Sequence, residues 1–145
     1  MRDLFLSWVP WALLSAGFAA LTAIFAKVGV ENVNSDFATF IRTVVILLVA
    51  GMLVYASGNW QVPSTVAAKT WLFLILSGAA TGASWICYFR ALKLGDAARV
   101  APVDKLSVLF VSVFAELFLG ERLSLPNWLG VILIACGAVL VAYRA

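Results

Sequence analysis

Histidine is absent, only 12% of the residues are charged, and no polar stretch outlasts a short loop. Without imidazole the chain has no Ser–His or Cys–His nucleophile pair and none of the His-based metal sites on which most catalytic zinc enzymes depend. No catalytic residue, metal site or cofactor is expected, and the chain is not read as an enzyme. The shortage of charge also excludes disordered, coiled-coil and collagen-like classes. A net charge of +3 and an isoelectric point near 9.1 do not indicate nucleic acid, because the basic residues are scattered singly and form no face that could follow a phosphate backbone. Cysteine occurs only at Cys87 and Cys136. Each lies inside an apolar run and reads as a small hydrophobe, not as half of a disulfide or a metal pair.

Apolar side chains are present in excess. They make up 64% of the 145 residues, against roughly 45–50% in soluble domains, and the mean hydropathy is +1.05. A bilayer core takes about 20 apolar residues per helix. Five runs qualify, at approximately 9–27, 35–55, 70–92, 98–119 and 126–143, which predicts an all-α polytopic membrane protein in one domain over 1–145. The first run resembles a signal peptide in having Arg2 ahead of it, but it continues to Lys27 without a convincing cleavage site and is kept as a span. Pro10 and Pro126 suit first helical turns, and Asn34–Ser35–Asp36 supplies capping oxygens.

Five spans put the termini on opposite faces, here face A for the N-terminus and face B for the C-terminus. Trp8, Trp11, Trp60, Trp71 and Trp128 then all fall near face A, as an interfacial aromatic belt would. Basic residues are more numerous towards face B, where Lys27, Arg42, Arg90, Lys93, Arg99, Lys105 and Arg144 stand against Arg2, Lys69 and Arg122 near face A. This gives a weak preference for N-terminus out and C-terminus in, and leaves insertion in both orientations open.

Ionised side chains within a span mark function by default, since each costs roughly 2.5–3.5 kcal/mol at mid-bilayer on insertion scales. At 1.5 Å per residue Arg42 lies about 10 Å into the second span from face B. Asp104 and Lys105 lie at a similar depth in the fourth, so the three are expected to share a cavity. Lys27 and Arg90 stand at span ends and read more simply as anchors or ion-pair partners. Pro102 offers a local break beside the charged pair. On an uninterrupted helix Lys105, Ser112 and Glu116, at i, i+7 and i+11, share one face; Glu116 is the candidate for a coupling proton or cation, or else an interfacial acid. The third span carries the polar stripe Ser77, Thr81, Ser84 and Tyr88, with Trp85 beside it. Thr81, Ser84, Trp85 and Tyr88 are candidates for substrate contact; the simpler alternative is helix packing, with hydroxyls bonded to their own backbone. Gly78 and Gly82 there, and Gly130 and Gly137 in the fifth span, are small-residue seams of the sort that lets helices approach closely.

The segments YFRALKLGDAARVAPVDKLSVLF and AELFLGERLSLPNWLGVILIACGAVLV, most specifically Gly120 to Leu123 followed by Gly130 and Gly137, resemble the EamA-like families of the drug/metabolite transporter superfamily. Members of that superfamily usually join two five-helix repeats of opposite topology. The resemblance therefore implies that this single repeat is half of a ten-helix inverted-repeat fold. It further implies an antiparallel homodimer, or a heterodimer with a related half, around a central pocket, with the fifth helix and its glycines at the dimer seam. The expected function is alternating-access transport of a small polar or amphipathic metabolite across a bacterial cytoplasmic (inner) membrane. The substrate pocket is assigned to Arg42, Thr81, Ser84, Trp85, Tyr88, Asp104, Lys105 and Ser112. Related small multidrug exporters carry an acidic residue in the first helix, which this chain lacks, and cations outnumber anions towards face B; both tilt the expected substrate towards a carboxylate or phosphate. The competing expectation is a non-transporting subunit or scaffold of a larger membrane complex, with lipid as its solvent and no nucleic-acid partner.

Overall fold

A computed structural model describes residues 7–143, all of whose regular structure is helical. Arg2 and Arg144, which enter the orientation count, lie outside the described residues. The helices are α1 (Trp8–Gly29), α2 (Ser35–Ala56), α3 (Ala68–Leu94), α4 (Ala97–Asp104), α5 (Ser107–Phe114) and α6 (Leu125–Ala142). A short 3₁₀ turn, Pro63–Thr65, precedes α3, and a π turn, Ala115–Leu119, follows α5. α1, α2, α3 and α6 are each long and apolar enough to cross a membrane.

The fourth apolar run departs from the single helix expected over 98–119. It is divided into α4, α5 and the π turn. At the first division the backbone stays right-handed but its hydrogen bonds shorten by one residue. Leu106 N–H donates to Val103 O at 3.0 Å and Val108 N–H to Lys105 O at 3.0 Å, while Lys105 N–H is shared between Ala101 O and Pro102 O. Pro102, inside α4, has no N–H to give Ala98 and its ring crowds that carbonyl, so the ladder is already weakened one turn before the break. At the far end Gly120 adopts φ +70°, a left-handed conformation that a residue with a Cβ takes only at a cost. The N–H groups of Gly120 and Glu121 thereby converge on Ala115 O and close the π turn.

The described chain divides near Phe25, within α1, and near Lys93 into two units. The unit Ala26–Lys93 holds the last turn of α1 together with α2 and α3. α2 starts where Asn34 Oδ1 accepts from the N–H groups of Asp36 (2.9 Å) and Phe37 (3.2 Å). α3 is tied at its start by the Trp71 indole N–H, which donates to Pro63 O. In the other unit α4 and α5 pack on α6, whose Val131 and Ala138 are buried.

Few side chains are buried. Among the described residues the buried apolar side chains are Ala26, Val30, Phe89 and Leu92 in one unit and Ala23, Val131 and Ala138 in the other, whereas large residues such as Leu47, Leu74, Leu133 and Leu140 are at least 60% exposed. A helical chain with so much exposed apolar surface has hydrocarbon as its natural surroundings, and helices keep most backbone polar groups bonded internally, as that environment requires. The protein is an integral membrane protein.

Candidate functional site

In the unit Ala26–Lys93 the intramembrane cation Arg42 sits on aromatic rings. Its guanidinium carbon is 4.1 Å from the centroid of Trp85 and 5.4 Å from that of Phe89. Trp85 and Phe89 stand at i and i+4 on α3, so one helical turn presents both rings to the same side chain. Phe89 is buried, and Arg42, Trp85 and Tyr88 are half-buried. Ser84 and Thr81 on the same helix are exposed. The Thr81 hydroxyl donates to Ser77 O at 2.9 Å; its donor serves the helix, and its oxygen keeps a lone pair for another partner.

Three basic side chains and one carboxylate fasten one end of this unit. Arg90 donates to both carboxylate oxygens of Asp36, Nε to Oδ1 at 2.9 Å and Nη2 to Oδ2 at 2.7 Å. Lys93 Nζ donates to Val33 O at 2.6 Å, and Lys27 Nζ donates to Leu92 O at 2.8 Å. The two lysines thus meet main-chain carbonyls, one in the last turn of α3 and one between α1 and α2. The bidentate Asp36–Arg90 fork joins α2 to α3 in a fixed orientation. The sequence reading missed this pair, although the signal was there: Asp36 opens the second span and Arg90 closes the third, so both belong to face B.

Both partners of the fork are about half exposed, so it is expected to set geometry more than stability. Asp36→Asn or Arg90→Gln should lower the melting temperature in detergent only modestly. The doubly reversed Asp36→Arg/Arg90→Asp protein should recover more of it than either single reversal. Equal losses in the single and double reversals would show that the fork holds nothing.

In the other unit the side chains of Asp104 and Lys105 pair with each other at 3.2 Å on the turn between α4 and α5. They remain 36% and 55% exposed respectively. Ser112 is buried and its hydroxyl donates to Val108 O at 2.9 Å, the self-satisfied arrangement weighed for hydroxyls in spans. Glu116 is exposed on the π turn. Lys105, Ser112 and Glu116 occupy a turn, an α-helix and a π turn in succession, so the single stripe of an unbroken 3.6-residue helix does not run through them. Gly130 and Gly137 on α6 have no non-local atom within 4 Å of where a Cβ would stand, and neither do Gly78 and Gly82 on α3. These seams are open. Cys87 and Cys136 are exposed free thiols. Among the described residues no group of three Cys, Asp or Glu side chains is placed to hold a metal ion.

A family model, the EamA-like transporter family, matches residues 6–143. The chain belongs to the EamA-like transporter family. It is 69% identical over 136 residues to a Sinorhizobium sp. protein named "Uncharacterized transporter in cobO 3'region", an alignment that takes in 94% of this chain and 96% of that protein. No solved structure matches the chain. As a member of the EamA-like transporter family with long apolar helices, the protein is a membrane transporter by family.

Proposed function

We propose that this protein is a five-helix half-transporter that moves a small polar or amphipathic metabolite across a bacterial inner membrane by alternating access, as a dimer. The observation that carries the reading is the break at Lys105–Leu106. The N–H groups of Lys105, Leu106 and Val108 stay bonded through i→i+3 contacts there, so what calls for a polar surrounding at membrane depth is the charge carried on the turn. The Asp104–Lys105 pair on that turn adds two charges that lipid would not solvate. Broken helices carrying polar groups near mid-membrane are how transporters present backbone and charge to a cargo.

Two observations support assembly from two copies. The 69% identical relative is matched over 96% of its own length, and the α6 glycine seam is open for a neighbouring helix. An antiparallel pair would restore the inverted-repeat arrangement. The Lys/Arg distribution favours N-terminus out and C-terminus in, but by a margin small enough to permit both insertions. Purified protein in proteoliposomes should give saturable flux of at least one solute from a broad metabolite panel. Absence of flux across the whole panel, with correctly inserted dimer, would overturn the carrier reading in favour of a scaffold subunit.

A further inference from the structure

We infer that Arg42, laid on Trp85, is the binding group for an anionic end of the cargo, a carboxylate or a phosphate. The inference rests on the carrier reading above and names its substrate class. Among the described residues the other basic side chains towards face B have oxygen partners: Lys27 and Lys93 donate to main-chain carbonyls, Arg90 and Lys105 are paired with Asp36 and Asp104, and Arg99 lies 4.0 Å from Asp96. Arg42 is the exception. It lies over the rings of Trp85 and Phe89 and in electrostatic reach of Tyr88, and it takes part in no ion pair among the described residues.

Arg42's position also points to a ligand. It lies about 10 Å along α2 from Ser35, counting 1.5 Å per residue, so it is not a headgroup-level anchor. A guanidinium resting on an indole face is held by cation–π attraction, which engages its flat face and leaves the in-plane N–H groups pointing outwards. Those N–H groups form the rigid fork that matches carboxylate and phosphate oxygens two at a time. Trp85 supplies an apolar wall beside the fork, while Ser84, exposed on the same helix, offers a hydroxyl for the remainder of a small molecule. Carboxylate cargo and free phosphate share this chemistry, and so does a lipid headgroup phosphate.

The test uses the full chain purified in dodecyl maltoside, a detergent without phosphate, with benzoate, succinate and inorganic phosphate as probes and benzamide and succinamide as neutral counterparts. Binding is read by thermal shift and titration calorimetry. At least one anion is expected to bind saturably and its neutral counterpart not to bind. Arg42→Gln should weaken that binding about tenfold or more, the usual scale for a charge-assisted bond. Arg42→Lys, which keeps the charge but loses the fork, should weaken it severalfold, and Trp85→Phe should largely retain it. Should Arg42→Gln fail to fold, the Arg42→Lys and Trp85→Ala proteins carry the comparison. Failure of all three anions to bind, equal affinity in the Arg42 variants, or retention of only an anionic phospholipid in native mass spectra would overturn the assignment. Flux of a cationic or neutral solute that persists in Arg42→Gln would overturn it too, while leaving the carrier reading intact.

Discussion

Lys105→Ala is expected to abolish saturable flux in proteoliposomes, to at least about tenfold below the unsubstituted protein, while leaving the protein folded and dimeric. The fold should survive because Lys105 caps α4 on a stretch that has already left the α-helical ladder. Its side chain is also more than half exposed, and its recorded partner is the adjacent Asp104. Function should not survive, because removing the ammonium leaves the Asp104 carboxylate at membrane depth without its counter-ion. Such a group repels an anion entering the cavity. Lys105→Arg keeps the charge and should keep most of the flux, and Lys105→Ala/Asp104→Asn should recover part of it by removing the orphaned carboxylate. Normal flux in Lys105→Ala would mean that the broken fourth span is structural only and would remove the observation on which the carrier reading stands.

Crosslinking through Cys136 is the second large effect, because it is close to all-or-none and it reads orientation. Cys136 is an exposed free thiol on α6, next to Gly137. It lies between two and three residues from the midpoint of Leu125–Ala142. If two α6 helices cross antiparallel at their midpoints, the two thiols are offset along the axis by about 7–8 Å at 1.5 Å per residue, and interhelical separation adds to this. A direct disulfide needs Cα atoms within about 7 Å. A bis-maleimide with a spacer should therefore join two copies in native membranes, whereas oxidation with copper phenanthroline should not. Ile134→Cys, close to the crossing point, should behave in the opposite way. Replacement of Cys136 by Ser should remove the spacer-linked dimer, and replacement of Cys87 should not. Direct oxidation at Cys136 would indicate a parallel pair and rule out the inverted arrangement. No crosslink with either reagent would move the seam away from α6.

The sequence was informative where lipid does the selecting. Hydrocarbon rewards long apolar runs, so α1, α2, α3 and α6 stand out from hydropathy alone. Trp8, Trp11, Trp71 and Trp128, with the Pro and Asn residues, fall near their starts. Arg42, Asp104 and Lys105 were conspicuous for the converse reason, as charges in a medium that does not solvate them. Less visible was which residue meets which. Neighbouring spans put Asp36 and Arg90 on one face, but nothing in a hydropathy profile turns their side chains towards each other, and the fork depends on the rotation of α2 and α3. The roles of Lys27 and Lys93 depend on main-chain carbonyls, which have no sequence signature at all. The same holds for Arg42. Its depth is readable by counting residues, whereas its contact with Trp85 and Phe89 requires that their i, i+4 face be the one turned to α2. The fourth span shows a further limit. Pro102 announces a weak ladder, but the π turn at Ala115–Leu119 is written in ordinary helix-forming residues and becomes apparent only through the left-handed Gly120 that ends it.

The central claim is that polar groups within the spans, Ser84 on α3 among them, face water inside the membrane, while the large exposed apolar side chains, such as Leu47 on α2, face lipid. The most direct measurement is labelling of single cysteines with a membrane-impermeant methanethiosulfonate in native membrane vesicles, on a protein in which Cys87 and Cys136 are replaced by Ser. Ser84→Cys should react readily, and more slowly when transported solute is present, while Leu47→Cys on the outward face of α2 should stay unreactive. An unreactive Ser84→Cys, or equal labelling at both positions, would contradict the account.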